Sequence, residues 1–365
     1  MLLLLCGSVK KFTGKQTKWI LFIALLSLAL VGALIQPRES YDLYRHYAAI
    51  EAVKKQGDSL WEFMINGYQY VGSNYQYTYG YNLLVFIIAS FFPKQALPFI
   101  AIMVSCGGLY YVIVKEFKES GYANKDVVLA IAIFSVLMPY LYIYSGIRNA
   151  IASSIIGVGV YDYYKGSHNI IKLALFAIVA CSFHPGAVAI IPFIVVSKMK
   201  PGVKGIIITF LLPSLVFIVM EFFRLRLNNP FLFKIGAKYY NYTQVRIDNQ
   251  GRVFLYTVIG VMLIVVALAA FLSNRPEFER EKQADVYLVY LIVWYMLFSL
   301  GYFKNYEMIT RLPYNVAVLS PVIVNTVFRS EKYRIKNFSG VLVLCKLMLC
   351  FLALMGLYEN IAWLA

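Results

Sequence analysis

Apolar residues fall along this chain in blocks of roughly twelve to twenty, broken by short polar stretches, and blocks of that length predict membrane helices. The first convincing one is Trp19–Ile35, closed by Gln36–Pro37, where proline cannot continue the helix. Further blocks are predicted at Tyr79–Phe92, Ala96–Val114, Val127–Tyr144, Gly146–Tyr163, Ile170–Phe183, Gly186–Ser197, Gly205–Phe223, Val253–Leu272, Val286–Phe303, Leu312–Phe328 and Phe338–Tyr358. Met1–Cys6 is apolar but far too short to span, and reads as a degenerate signal-like start or the remnant of a lost helix.

The polar positions have their own pattern. From Pro37 to about Tyr77 the chain makes its first large loop, in which Ser40–Lys55 carries Leu43, Tyr47, Ile50 and Val53 at helical spacing. Asp42, Arg45 and His46, three or four apart, fall on another face, so the stretch predicts a helix lying on the membrane surface. Ser59–Leu60–Trp61–Glu62 is a capping-box sequence that starts a second short helix, and Asn66–Gly67 stops it. Tyr68, Tyr70, Tyr75, Tyr77, Tyr79 and Tyr81 then crowd the return into the bilayer, either as an interfacial aromatic belt or as a platform for sugar rings.

Loop charge constrains the path. Lys10, Lys11, Lys15 and Lys18 before the first span put the N-terminus in the cytoplasm. If every block crossed, the short lysine-bearing loops at 165–172 and 198–204 would face outside, against the positive-inside bias. The conflict disappears if Tyr79–Phe92, about 14 residues long and followed by Pro93, is a re-entrant or half-depth helix. Asp42, Arg148, His184, the 224–252 loop and Arg311 then all reach the extracytoplasmic side.

Composition fixes the class. With 61% hydrophobic and 14% charged residues, no soluble core could absorb the apolar surface. The chain reads as an all-α polytopic bundle of about 11–12 membrane segments, the half-depth helix among them. One transmembrane domain over 1–365 is expected, with 37–78 as a first extracytoplasmic loop bearing juxtamembrane helices and 224–252 as a second. The formal charge of +16 is scattered through loops, which membrane topology explains without nucleic acid. The five cysteines have no spacing that suits a metal or a disulfide framework, and read as packing residues; no metal or cofactor is expected.

Against this apolar background a few basic residues stand out. His184, in Cys181–Ser182–Phe183–His184–Pro185–Gly186, lies between blocks of about 14 and 12 residues, so at ~1.5 Å per residue each covers only ~20 Å of a ~30 Å core and leaves the imidazole recessed. Arg148 follows Gly146 at a helix start, and Arg311 opens another in Thr310–Arg311–Leu312–Pro313. Singly, such arginines snorkel to headgroups and such a histidine caps a hairpin. Together they suit another chemistry: guanidinium forks match diphosphate oxygens, and an imidazole takes a proton near neutral pH. That set suits transfer of a sugar from a lipid diphosphate to a hydroxyl, with His184 as proton acceptor or positioning group, Asp42 as the competing base, and Arg148 and Arg311 on the diphosphate. Arg246 and Arg252 in the long loop either contact headgroup and acceptor sugar or form a solvated charge run. There is no Gly-rich phosphate loop at a strand-to-helix turn and no Asp-x-Asp pair; Gly157 and Gly159 lie within an apolar helix and suit packing.

Five segments carry a family resemblance: Tyr41–Asp42–Leu43–Tyr44–Arg45 with Tyr47, Gly80–Tyr81–Asn82–Leu83–Leu84, Gly146–Ile147–Arg148–Asn149–Ala150–Ile151–Ala152, Ser182–Phe183–His184–Pro185–Gly186–Ala187, and Arg311 with Tyr314. In order and spacing they resemble the EpsG family of multi-pass exopolysaccharide and capsule proteins, regarded as Wzy-like polymerases. Tyr77–Thr78–Tyr79 stands where that family tends to carry an acidic residue and proline, so no carboxylate role transfers there. The resemblance implies a polysaccharide polymerase of the bacterial plasma membrane, a glycosyltransferase acting on a polyprenyl-diphosphate-linked oligosaccharide, with other capsule-assembly proteins as partners. It also implies that Tyr44, Arg45, Tyr81 and Asn82 face the substrate. A membrane O-acyltransferase modifying the glycan and a lipid-linked oligosaccharide flippase are the rival classes.

Overall fold

The long apolar blocks fold as helices, and no strand occurs among the described residues. The computed structural model describes residues 14–37, 42–72, 78–120, 124–166, 168–226, 237, 240, 249–275, 278, 282–303, 305–328, 345–346, 348–349 and 351–354. In order, its helices are α1 (Gly14–Leu34), α2 (Asp42–Gln56), α3 (Leu60–Asn66), α4 (Tyr68–Val71), α5 (Tyr79–Phe91), α6 (Ala96–Ser120), α7 (Asn124–Leu137), α8 (Tyr140–Ser145), α9 (Ile147–Lys165) and α10 (Ile170–Phe183). After a 3₁₀ stretch, Pro185–Ile190, come α11 (Ile191–Val196), α12 (Val203–Arg226), α13 (Asn249–Ser273), α14 (Gln283–Leu300), α15 (Tyr306–Arg311), α16 (Tyr314–Ala317) and α17 (Ser320–Val327). Among the described residues four helices are long and apolar enough to cross a membrane, within α1, α6, α13 and α14.

Prolines account for the main departures from the predicted blocks. Val127–Tyr144 is two helices, because Pro139 lacks the N–H a continuous helix needs and becomes the N-cap of α8. In Leu312–Phe328, Pro313 lies between α15 and α16, and a second break at 318–319 separates α16 from α17, which has Pro321 in its first turn. Gly186–Ser197 opens as a 3₁₀ stretch and becomes α-helical only from Ile191, with Pro192 in the first turn of α11, where its missing N–H costs nothing. The expected helix at Phe338–Tyr358 lies largely outside the described residues.

The chain divides into two compact units: Met1–Ile131 with Met138–Ala189 and Ala317–Pro321, and Ala132–Leu137 with Ile190–Val316 and Val322–Ala365. In the first, contacts along the helices fix their directions. The Phe22 and Tyr110 rings lie 6.3 Å apart while Gly32 packs on Ile102, so α1 and α6 run antiparallel. Ser154 Oγ donates to the Val104 and Ser105 carbonyls, both at 3.1 Å, and Tyr161 donates to Glu116 at 3.1 Å, so α6 and α9 run parallel. Gly108 permits this approach, since a Cβ there would overlap Ser154 Oγ. Lys172 Nζ meets Asp162 at 2.6 Å and Gly159 packs on Phe176, so α10 returns antiparallel beside α9. The starts of α6 and α9 and the ends of α1 and α10 therefore share one end of this unit.

The same geometry places the short α5. Because α1 and α6 are antiparallel, residues 35–95 begin and end at one end of the unit. Within that stretch α5 lies against α2 and α3: Tyr81 meets His46 at its start, Phe63 and Phe86 stack at 6.0 Å midway, and just past its end Lys94 pairs with Glu51 at 3.1 Å. Its 13 residues cover about 20 Å. Both observations favour a half-depth path over a crossing. Single cysteines introduced at Arg45 and Lys94 in a cysteine-free background are expected to react with an impermeant thiol reagent from one side of the membrane, and one at Lys118 only from the other. Reaction of Lys94→Cys from the Lys118 side would contradict this path.

α2 shows why the first loop is ordered. Leu43, Ile50 and Val53 are buried on one stripe, as the spacing predicts. The capping box at α3 is present, with the Ser59 hydroxyl accepting from the Glu62 N–H at 3.3 Å and Glu62 accepting from the Ser59 N–H at 2.9 Å. In the second unit α14 is the core helix, buried along almost its whole length. Gly205 of α12 packs on Trp294, whose Nε1–H donates to the Met199 carbonyl at 3.0 Å, and Asn315 Nδ2 donates to the buried Tyr295 hydroxyl at 2.6 Å.

Candidate functional site

The end of the first unit where α2, α5, α9 and α10 meet gathers most of the residues singled out from the sequence. Gly146, the N-cap of α9, starts the helix so that Arg148 stands in its first turn, half-buried. The guanidinium carbon lies 5.7 Å from the centre of the Tyr81 ring, within the range where a cation is attracted to an aromatic face. Tyr81 is fully buried in the first turn of α5. Gly80 brings that turn onto the end of α10, since a Cβ there would overlap Ser182 Oγ and come within 3.2 Å of the Phe183 ring. Next to Arg148, Asn149 is buried and its amide nitrogen has no hydrogen-bond partner among the described residues.

His46 completes this cluster. Its Nδ1 is 2.8 Å from the Tyr81 hydroxyl and the two rings pack edge to face at 5.3 Å. The imidazole is buried, and burial, reinforced by the nearby Arg148 and Arg45 charges, pushes its pKa down to about 3. His46 is therefore neutral at every physiological pH. Helical spacing suggested that His46 shares a polar face with Asp42 and Arg45; instead it is buried with Leu43, Ile50 and Val53. The signal was present, because 43, 46, 50 and 53 follow one another by three, four and three residues, the period of a packed stripe.

His184 caps α10 in an extended conformation, and its Nδ1 accepts from the Gly186 N–H at 3.1 Å. Gly186 must be small here, since a Cβ would stand 2.9 Å from the imidazole Cε1 and Nδ1. A neutral imidazole that accepts at Nδ1 carries its proton on Nε2, a tautomer assigned from the hydrogen bond. His184 thus caps the hairpin, and a proton-accepting role at Nδ1 would have to break the Gly186 contact.

The remaining candidates fall on α2, on α5 or in the second unit. Asp42, at the start of α2, accepts from Arg45 Nη1 at 3.2 Å, and both are well exposed. An anion in that first turn also suits the helix dipole. Tyr44 is exposed and lines an open cavity of about 410 Å³ with Tyr47, Glu51 and Lys94. Asn82 and Tyr81 are both buried, which gives them supporting places and not substrate-facing ones. In the second unit Arg252 is exposed on the first turn of α13, and Arg311 pairs with Glu307 one turn back at 2.6 Å. Arg246 lies outside the described residues, as do Tyr75 and Tyr77 of the tyrosine cluster. No group of three His, Cys, Asp or Glu side chains among the described residues is arranged to hold a metal ion.

An all-α polytopic membrane protein with a cationic and aromatic cluster at one end of its first unit is the class these features define. The chain belongs to the EpsG family, whose family model matches residues 17–364, and that family is associated with polysaccharide biosynthesis. No curated protein matches the chain, and no solved structure does.

Proposed function

We propose that this protein is a polysaccharide polymerase of the bacterial plasma membrane, joining polyprenyl-diphosphate-linked oligosaccharide repeats at the extracytoplasmic face in capsule or exopolysaccharide synthesis. The observation that carries the reading is Arg148, a half-buried guanidinium held over the Tyr81 ring at a helix start, with the buried Asn149 amide beside it. A guanidinium fork in that setting matches a diphosphate and favours the charge that grows on it as it leaves. Membership of a family associated with polysaccharide biosynthesis supports a glycan substrate.

In the transfer, a hydroxyl of the incoming lipid-linked repeat attacks the anomeric carbon of the growing chain. A carbon–oxygen bond forms to the acceptor, the bond from that carbon to the diphosphate oxygen breaks, and polyprenyl diphosphate leaves with the bonding pair. Arg148 stabilises the departing diphosphate. The acceptor's proton goes to Asp42, because His184 spends Nδ1 on its own loop; His184 acts as a positioning group.

Purified protein in liposomes, supplied with the lipid-linked repeat extracted from host cells lacking this protein, is expected to produce a ladder of oligomers without acyl-CoA. Unit-length product that gains mass only with acyl-CoA would favour an acyltransferase. Movement of unaltered repeat across the bilayer without a ladder would favour a flippase.

A further inference from the structure

Arg148 is held through a neighbour that is itself held. Its guanidinium rests on the Tyr81 ring, and the Tyr81 hydroxyl meets His46 Nδ1 at 2.8 Å. His46 is buried in a stripe with Leu43, Ile50 and Val53, beside Tyr47 and Ala49. A leucine there would bury more apolar surface, and an imidazole taken out of water is costly unless hydrogen-bonded. Bulk alone therefore does not explain the residue; a partner for the Tyr81 hydroxyl does. We propose that His46 is a positioning residue: its Nδ1 fixes the Tyr81 hydroxyl, and through it the ring face on which the diphosphate-binding Arg148 rests. This inference rests on the reading of Arg148 as the diphosphate ligand. A proton-accepting role for His46 does not fit, because the ring is buried and its Nδ1 already faces Tyr81, and because burial holds the imidazole far below the range where it would bind a proton.

Asparagine and glutamine separate positioning from packing, since the Asn side-chain amide reaches about where Nδ1 stands and the Gln amide about where Nε2 stands. The first readout does not depend on activity: the Arg148 Nε–H resonance of ¹⁵N-arginine-labelled protein in nanodiscs, assigned by its loss in Arg148→Lys. Ring current from Tyr81 should displace this signal in wild type and in His46→Asn, and it should relax toward the exposed-arginine position in His46→Ala and His46→Gln. The second readout is the liposome ladder assay. His46→Ala and His46→Gln should raise KM for the lipid-linked repeat about tenfold, the effect of losing one hydrogen bond to a buried group, with kcat changed less. His46→Asn should stay within about threefold, and Tyr81→Phe added to His46→Ala should cost no more than about twofold further, since both cut one link.

An Arg148 signal that keeps its wild-type displacement in His46→Ala, or equal behaviour of the Asn and Gln variants, would overturn the proposal. If the signal relaxes as expected while KM is unchanged, positioning stands and the assignment of Arg148 to the diphosphate is what fails. Should His46→Ala fail to fold, the Asn and Gln variants, which differ by one methylene, carry the test.

Discussion

Arg148→Ala is expected to slow chain elongation by about 10²–10³-fold, the cost of removing one donor aimed at developing negative charge. The fold should survive, because the guanidinium is only half-buried and its contact with Tyr81 contributes about 0.5–1 kcal/mol. Melting temperature in detergent should therefore fall by a few degrees at most. Arg148→Lys restores the charge without the fork and should recover only part of the rate. Initial rates of ladder formation, normalised to folded protein, check this. A rate within threefold of wild type for Arg148→Ala would remove the guanidinium from the chemistry.

The second large effect is expected on stability, at the opposite end of the same helices. Glu116 on α6 is only 1% exposed at its side chain, and it accepts from Lys165 at 3.2 Å and Tyr161 at 3.1 Å, both on α9. Lys165→Met would leave that carboxylate buried without its cation, a change that costs about 3–5 kcal/mol when a buried pair is broken. Adding Glu116→Gln should restore most of the loss by removing the stranded charge. The neighbouring Lys172–Asp162 pair gives the control: Lys172 is half-exposed, so Lys172→Ala should cost less than about 1 kcal/mol. Unfolding in a detergent titration reads all three variants. A Lys165→Met loss no larger than that of Lys172→Ala would show that the pair does not clamp α6 to α9. The clamp bears on the site as well, since the parallel register of these two helices places Arg148 at the end that α2 and α5 cover.

What was legible in the sequence follows from which interactions are local. Helix stripes and caps depend on residues three or four apart, so α2, the Ser59 capping box and the short α10 hairpin could be read directly. Prolines are local too, yet a long apolar block hid the break at Pro139, because composition is blind to one missing N–H. The positive-inside argument about Tyr79–Phe92 agrees with a helix whose ends lie at one end of the unit, a long-range fact reached through charge counting. The sequence places His184 at the turn of a short hairpin, where it caps α10, but its bond to the Gly186 N–H depends on a ring rotamer that no spacing reports. His46 was seen and set on the polar face because its residue type outweighed its position. The Arg148–Tyr81 contact joins residues 67 positions apart in sequence (148 − 81), beyond the reach of any local pattern. Arg311 was singled out as a recessed cation, although Glu307 four residues earlier already predicted its helical ion pair.

The most direct test of the central claim is a stoichiometry. In liposomes holding purified protein and the lipid-linked repeat, polyprenyl diphosphate released and glycosidic bonds formed should be counted in the same reaction. Polymerisation at the Arg148 end predicts one diphosphate lipid released per bond, a ladder of integral repeats without acyl-CoA, and loss of both together in Arg148→Ala. Repeats that stay at unit length with no diphosphate lipid released, under conditions where the folded protein is shown to bind them, would contradict it.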